Sequence, residues 1–406
     1  MSSDEGVCYI CLEESGEMVD PSPCLCKGSN KIHITCYNDV RKTQTKCGIC
    51  KQEYPLHFID GKATKVKIKD GIRYIYTVTE DKKLNGQMHI YDIEEDDELI
   101  EVRDYVDSKL HGYVTEYFSE GYIRVRSPYV NGVKEGNEEY YFYSTDSVET
   151  VIPYVNNKKH GIVKTFLVNG QLRSTVNYIN GQKHGMYRIY YEGGELYSDR
   201  YFEYNKEIGT SMYYYGTGQL SGLHTFVDGK LHGLDITYFE NGSPKMTQPY
   251  VNGKPHGIQY LYYENGTIKE VTPWINGNVD GIAYTYYSSG KIETETPFQN
   301  ANRNGISKAF YRNGILHEED PYIDGIRTGL YITYYPSGKK EAETTYNNYM
   351  MHGEHVEYYE NGSEKMDCGY YEDKLHGPQT FYYSNGYVRK SCYWDHGRKI
   401  KRPTVS

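Results

Sequence analysis

Apolar side chains are scarce in this chain. Mean hydropathy is -0.76 and the hydrophobic fraction is 38% over 406 residues, low for one compact core of that length. No run of about 18 apolar residues occurs, which excludes a membrane-spanning helix. The first residues lack a basic segment followed by an apolar stretch, so no secretory leader is expected. Positive charge is not in surplus either. The formal net charge is -10 and the pI about 5.8, against a bulk binder of nucleic acid or anionic lipid. The one short basic run, Arg398, Lys399, Lys401 and Arg402, reads as a solvated end. No glycine-rich phosphate loop, catalytic serine motif or cluster of paired carboxylates stands out, and the acidic run Glu94–Glu98 reads as a solvated loop. Cysteine almost vanishes after residue 50: seven of the nine lie within residues 8–50.

Tyrosine and glycine are abundant instead, at 48 and 41 residues. Aromatics favour a half-buried pleated surface, and the phenol tip tolerates water. A chain poor in Leu and Ile but rich in Tyr and Gly is therefore expected to form many strands and many turns.

The early cysteines fall in pairs: Cys8-x2-Cys11, Cys24-x-Cys26, His33-x2-Cys36 and Cys47-x2-Cys50. Disulfides suit an oxidising compartment, and a redox motif needs one such pair beside a βαβ unit. Four pairs in under fifty residues point instead to two closed tetrahedral zinc sites. Sites of that kind are structural, with no open position for a catalytic water.

The ligand order, with histidine fifth among seven cysteines, resembles both the PHD finger and the RING-CH finger. The single residue between Cys24 and Cys26 favours RING-CH, as do Thr45 where PHD fingers carry Trp and the strings Cys26-Lys27-Gly28-Ser29 and Cys50-Lys51-Gln52-Glu53-Tyr54. The resemblance covers residues 7–55. It implies a small zinc-stabilised α+β domain over residues 1–57, cross-braced by two zinc ions. Cys8, Cys11, His33 and Cys36 would hold one ion; Cys24, Cys26, Cys47 and Cys50 would hold the other. It also implies a ubiquitin-conjugating enzyme as partner, contacted by Ile10 and Ile49, with Lys51 touching ubiquitin. Val40 stands where the family often has Trp, a departure that weakens the docking surface.

From about residue 61 the sequence is periodic. Leading glycines recur at Gly112, Gly136, Gly161, Gly185 and on to Gly377 in steps of 24, with one step of 25. A second glycine follows nine residues later in all units but the one beginning at Gly136. Regularity of this kind marks a repeat architecture. In the unit starting at Gly257, a strand through Tyr262 and Tyr263 is expected to turn at Asn265-Gly266, return through Thr267, Lys269, Val271 and Trp274, and pass to the next unit at Asn276-Gly277. Adjacent aromatics such as Tyr286-Tyr287 and Tyr334-Tyr335 would give each face an aromatic ladder. The pattern Tyr-x-Asn-Gly-x-x-His-Gly, followed by Tyr-Tyr-x-Asn-Gly, resembles MORN repeats. That resemblance implies an all-β, elongated, single-layer antiparallel array, with degenerate repeats over 58–111, twelve repeats over 112–400 and a tail at 401–406.

Histidine precedes the leading glycine in seven units: His111, His160, His184, His232, His256, His352 and His376. Neighbouring units would hold these rings roughly 10 Å apart, too far for one ion, so they read as loop residues. Cys368 and Cys392, one period apart, cannot join as a disulfide at that spacing and read as inert packing residues.

Two functions follow. The leading expectation is a RING-type ubiquitin ligase whose array holds an unknown protein substrate or anchor. The alternative is a non-enzymatic scaffold that docks a protein or membrane surface, motivated by Val40. Histone binding by a PHD-like finger is a third. Nucleic acid is not an expected partner, and membrane association would not involve spanning. A soluble finger joined to such repeats is similar to proteins of large DNA viruses, implying a cytoplasmic location, in the host cell if so.

Overall fold

The computed structural model describes residues 62–401 apart from 80, 95 and 96, together with the backbone of 18–19, 32–33 and 57–59. The chain divides into two compact units, Met1–Gly194 and Glu195–Ser406. In the first, strands from Lys62–Lys69 through Ile72–Val78, Leu84–Asp92 and Glu98–Val106 to Gln182–Tyr190 follow one another, each antiparallel to the next. The second repeats this meander from Leu196–Glu203 to Arg398–Ile400. Among the described residues there is no α-helix, and one 3-10 turn, Ser119–Gly121, interrupts the strands.

One repeat shows why the sequence folds this way. Strand Gly257–Tyr262 pairs with Ile268–Ile275, placing Ile258 opposite Pro273 and Gln259 opposite Thr272. The reversal at Tyr263–Thr267 is closed by Tyr263 N–H to Thr267 O at 2.8 Å and by Gly266 N–H to Tyr263 O at 2.9 Å. Asn265 caps it, accepting from the Thr267 amide at 3.0 Å. Only Gly266 has positive φ there, at 84°, so this is the longer loop built on a glycine bulge. The tight two-residue turn lies at Asn276-Gly277, where φ is 52° and 94°, the both-positive pattern of a type I′ turn. The sequence therefore assigned the tight turn to the wrong Asn-Gly pair. After the short strand Asn278–Val279, the leading Gly281 carries φ 114°. A β-carbon there would sit 3.0 Å from the Pro273 ring, so the position excludes side chains twice over.

The second aromatic of each pair has a different role from the ladder expected. Tyr263 lies beyond its strand, and its hydroxyl donates to the carbonyl of Tyr286, 23 residues ahead, at 2.7 Å. Tyr215, Tyr287, Tyr311, Tyr335 and Tyr359 donate likewise to Tyr238, Phe310, Tyr334, Tyr358 and Tyr382, at 2.6–2.9 Å. Each bond staples one hairpin to the next. In the first unit three of the matching positions, Phe118, Phe142 and Leu167, carry no hydroxyl.

The expected small α+β RING domain needs correction. The described structure is strand throughout, and none of it forms a helix-containing, zinc-braced module. Ligand spacing sets how many donors exist; a cross-brace also needs elements that carry them to two points, and the described residues supply only repeat strands. Cys8, Cys11, Cys24, Cys26, Cys36, Cys47, Cys50, Ile10, Val40, Ile49 and Lys51 lie outside the described residues, as does the side chain of His33. Glu95 and Asp96 of the acidic run lie outside them too; Asp97 pairs with the buried Arg73 at 2.6 Å.

The staples make a direct prediction. Tyr287→Phe should cost about 1 kcal/mol, read as faster amide exchange in the two hairpins that it joins. Phe239 interrupts the series, so Phe239→Tyr should slow exchange between its own hairpin and the one that ends at Tyr262.

Candidate protein-binding surface

Successive strand residues face opposite sides, so each repeat presents two distinct rows. On one side lie Asp235, Gln248, Thr272, Asp320, Thr344 and Gln379, all no more than 9% exposed. The most buried row in the sheet is thus polar, and most of its groups are matched, though Ser198 Oγ, Ser307 Oγ and Asp320 Oδ1 have no partner. Gln259 and Gln379 accept from the indole N–H of Trp274 and Trp394 at 3.2 and 2.9 Å. Thr344 bonds His355 at 2.8 Å. Asp320 takes a hydrogen bond from Tyr322 at 2.8 Å and pairs with Arg327 at 2.5 Å. In the first unit Glu138 is held by Ser127 at 2.6 Å and by Lys134. Such satisfaction is what allows polar groups to be buried at all.

Arg200, Glu207 and Ser211 form the best-defined cluster of the row. Arg200 binds both Glu207 oxygens, at 2.9 and 2.5 Å, and Ser211 donates to Oε1 at 2.6 Å. Burial pushes the Glu207 carboxyl up, but Arg200 and Ser211 outweigh it and hold the group below the ordinary glutamate range. Ser211 also faces His224 across the strands, and His224 Nδ1 contacts Asp235. This serine, histidine and aspartate are not a nucleophilic triad. Ser211 is fully buried and its proton goes to Glu207, so no substrate carbonyl can reach it.

Cys368 and Cys392 sit in the same buried row as free thiols. Burial raises the Cys368 thiol to about 11, and Cys392 donates weakly to Gln379 at 3.4 Å.

The opposite side is apolar and exposed. Leu234, Ile258, Ile282, Ile306 and Leu330 recur once per repeat at 42–52% exposure. Four of them face a proline across the strands, at Pro249, Pro273, Pro297 and Pro321. Val251, Ile275 and Ile323 lie two residues beyond those prolines on the same face, at 40–57% exposure. The exposed aliphatic residues thus form a periodic row on one face, one per repeat over five successive repeats. Its sequence signal is the aliphatic residue that follows the leading glycine in the five repeats from Gly233 to Gly329.

Two of the recurrent histidines are turn clamps. His232 and His256 accept through Nδ1 from the backbone N–H of Asn252 and Asn276, both at 3.4 Å. In four of the five units without histidine another acceptor fills the place: Asp280 for Asn300 at 3.0 Å, Asn304 for Asp324 at 3.4 Å, Thr328 for Asn348 at 3.3 Å, and Glu135 for Asn156 at 2.9 Å; the fifth has Ile208. What the clamping positions share is an acceptor, not an imidazole.

The expected pair of zinc ions is corrected here. Among the described residues the group of metal-capable side chains is His376, Asp395 and His396, all exposed, with donor atoms within 4.8 Å of one another. These are neither the predicted ligands nor eight in number. The ubiquitin-ligase and transferase readings fall with them, since no described feature supplies a zinc cross-brace or a catalytic constellation.

Comparison with known proteins agrees with the repeats alone. A family model described as a MORN repeat variant matches residues 159–180, 255–276, 279–300, 303–324 and 327–348. The match supports the repeat array and not the RING-CH recognition, which is corrected together with the likeness to viral proteins. No curated protein matches the chain. A solved structure of the Photorhabdus luminescens Tc holotoxin pore is similar at 13% identity and TM-score 0.15, over 82% of this chain and 19% of that one. The crystal structure of TcdB2-TccC3-Cdc42 is similar at 11% identity and TM-score 0.12, over 79% of this chain and 23% of that one. The chain thus spans about a fifth of the length of these structures, and likeness at such scores carries no argument.

Two predictions test this surface. Glu207, depressed in the fold, contributes stability that is complete above its unfolded value and is lost as pH falls through the lower folded one. Glu207→Gln should therefore destabilise the second unit by about 2 kcal/mol at neutral pH, with the difference from wild type shrinking below pH 4.5; thermal unfolding across acid pH measures it. His256→Asn should keep Asn276 amide exchange slow, and His256→Phe should speed it by about 1 kcal/mol of lost protection.

Proposed function

We propose that the chain is a non-enzymatic scaffold whose second unit docks a protein along the aliphatic row. The exposed series Leu234, Ile258, Ile282, Ile306 and Leu330 carries this reading. Strand neighbours lie about 4.8 Å apart and each repeat contributes two main strands, so anchors recur roughly every 10 Å. That spacing suits an extended or itself repetitive partner with apolar groups at intervals. Burying one such side chain contributes about 1.5–3 kcal/mol, so three or four engaged anchors are sufficient for specific binding once ordering costs are met. The net charge of -10 favours a protein over an anionic membrane. Among the described residues no helix is long and apolar enough to cross a bilayer.

The test is a triple substitution, Ile258→Asp, Ile282→Asp and Ile306→Asp. These side chains already face solvent, so the unfolding midpoint should stay within a few degrees of wild type. A partner captured by the full chain from its native source should lose at least tenfold in affinity for the variant. Undiminished capture would overturn the assignment, as would sedimentation of the wild type with vesicles carrying anionic lipid in the absence of any protein partner.

A further inference from the structure

The last repeat departs from the others at two adjacent positions. After the proline or its equivalent, most repeats of the second unit continue with an aliphatic residue or an amide and then the turn residue Asn or Asp, as in Val251-Asn252, Ile275-Asn276, Gln299-Asn300 and Ile323-Asp324. The last repeat has Asp395-His396. His396 occupies the left-handed turn position at φ 45°, a conformation in which Asn, Asp and His are the enriched non-glycine residues. The substitution thus brings an imidazole to a place where the fold favours Asn. His376, the residue before the leading glycine, supplies a second ring to the same corner. In the repeats beginning at Gly233 and Gly257, the preceding histidine accepts from the backbone of the following turn. His376 Nδ1 instead lies 3.5 Å from Asp395 Oδ1.

The three side chains converge. His396 Nδ1 is 2.6 Å from Asp395 Oδ1, and the two imidazoles lie 4.8 Å apart, centre to centre. Tyr371 packs beside both rings, at 6.1 and 5.4 Å, backing the corner with an aromatic wall. Tetrahedral sites with bonds of ~2.0–2.2 Å set donor atoms roughly 3.3–3.6 Å apart. Of the three donor pairs, His376–Asp395 already has that spacing, His396–Asp395 is closer, and all three donors lie within 4.8 Å of one another, so rotation of exposed side chains is what the site requires.

We propose that His376, Asp395 and His396 form a surface site for one divalent transition-metal ion of the borderline class, such as Zn²⁺, Ni²⁺ or Co²⁺. The donor set selects the class. Hard ions such as Ca²⁺ and Mg²⁺ need several oxygens, and this corner offers one carboxylate. Its neighbours are cationic: Arg398 faces Asp395 across the hairpin, and the Lys374 side chain lies against Gly397. A hard cation held by field alone is therefore disfavoured, whereas imidazole nitrogens bind borderline ions by donor bonds. Three protein donors leave a coordination place open to water or to a donor from another molecule.

The experiment is a Co²⁺ titration of the full chain, followed by visible absorption. Cobalt bound here should show d–d bands without thiolate-to-metal charge transfer, which separates it from ion taken up by cysteines elsewhere in the chain. One such thiolate-free equivalent is expected in the wild type. His396→Asn restores the turn residue of the other repeats, so it should keep the metal-free unfolding midpoint while weakening Co²⁺ binding at least tenfold. Asp395→Asn and His376→Gln should weaken it similarly. Absence of the thiolate-free signal in the wild type, or its survival in all three variants, would overturn the site.

Discussion

In the second unit a tyrosine just beyond the leading strand of six repeats reaches forward 23 residues and donates its hydroxyl to the backbone of the next hairpin, as Tyr263 does to Tyr286 at 2.7 Å. Backbone ladders already run between hairpins, but a ladder alone leaves register open to slippage. The staple adds a second constraint on it, because each of these hydroxyls bonds the carbonyl 23 residues ahead. Turn clamps do the same on a shorter span: His256 accepts from Asn276, and Asp280 from Asn300. Both devices join nearest neighbours only, so stability is distributed repeat by repeat, in the manner of a one-dimensional chain.

This arrangement inverts the usual disposition of side chains. Gln248 and Thr272 are among the most buried residues, while Ile258 and Ile282 stand about half exposed on the other face. The polar row tolerates burial because Asp320, Glu207 and Gln379 each have partners of matching chemistry. The aliphatic row has no such reason to face solvent within the chain, and a docking role accounts for it. Function on this reading comes from repetition and spacing, not from one chemically activated residue; Ser211 beside His224 shows how a suggestive trio becomes structural once its hydroxyl proton is committed to Glu207.

The period, the strands and the need for glycine at positions such as Gly281 were legible from sequence, because a positive φ and a repeat length leave marks in residue identity. The choice between Asn265-Gly266 and Asn276-Gly277 as the tight turn was not, since the same dipeptide serves both and only φ distinguishes them. Nor did the sequence show that Tyr287 and Tyr286 have separate roles: alternation assigns faces only inside a strand, and Tyr287 lies just outside one. The cysteine pairs misdirected the functional reading for another reason. Spacing counts donors without locating them, while the one described convergence, at His376, Asp395 and His396, joins residues from the start and end of one hairpin and breaks the repeat code instead of following it.

Fixed reach has an evolutionary corollary. A hydroxyl that finds its acceptor 23 positions on, and an acceptor that finds its amide 20 positions on, remain in phase if a whole block of 24 is duplicated or deleted, and fall out of phase for other lengths. Unequal crossing-over between blocks could therefore alter the number of anchors presented to a partner without redesigning any of them. The exceptional block of 25, between Gly136 and Gly161, fits this rule. Its loop closes from Phe142 N–H to Ser147 O, one residue longer than its fellows, and Phe142 has no hydroxyl to misalign.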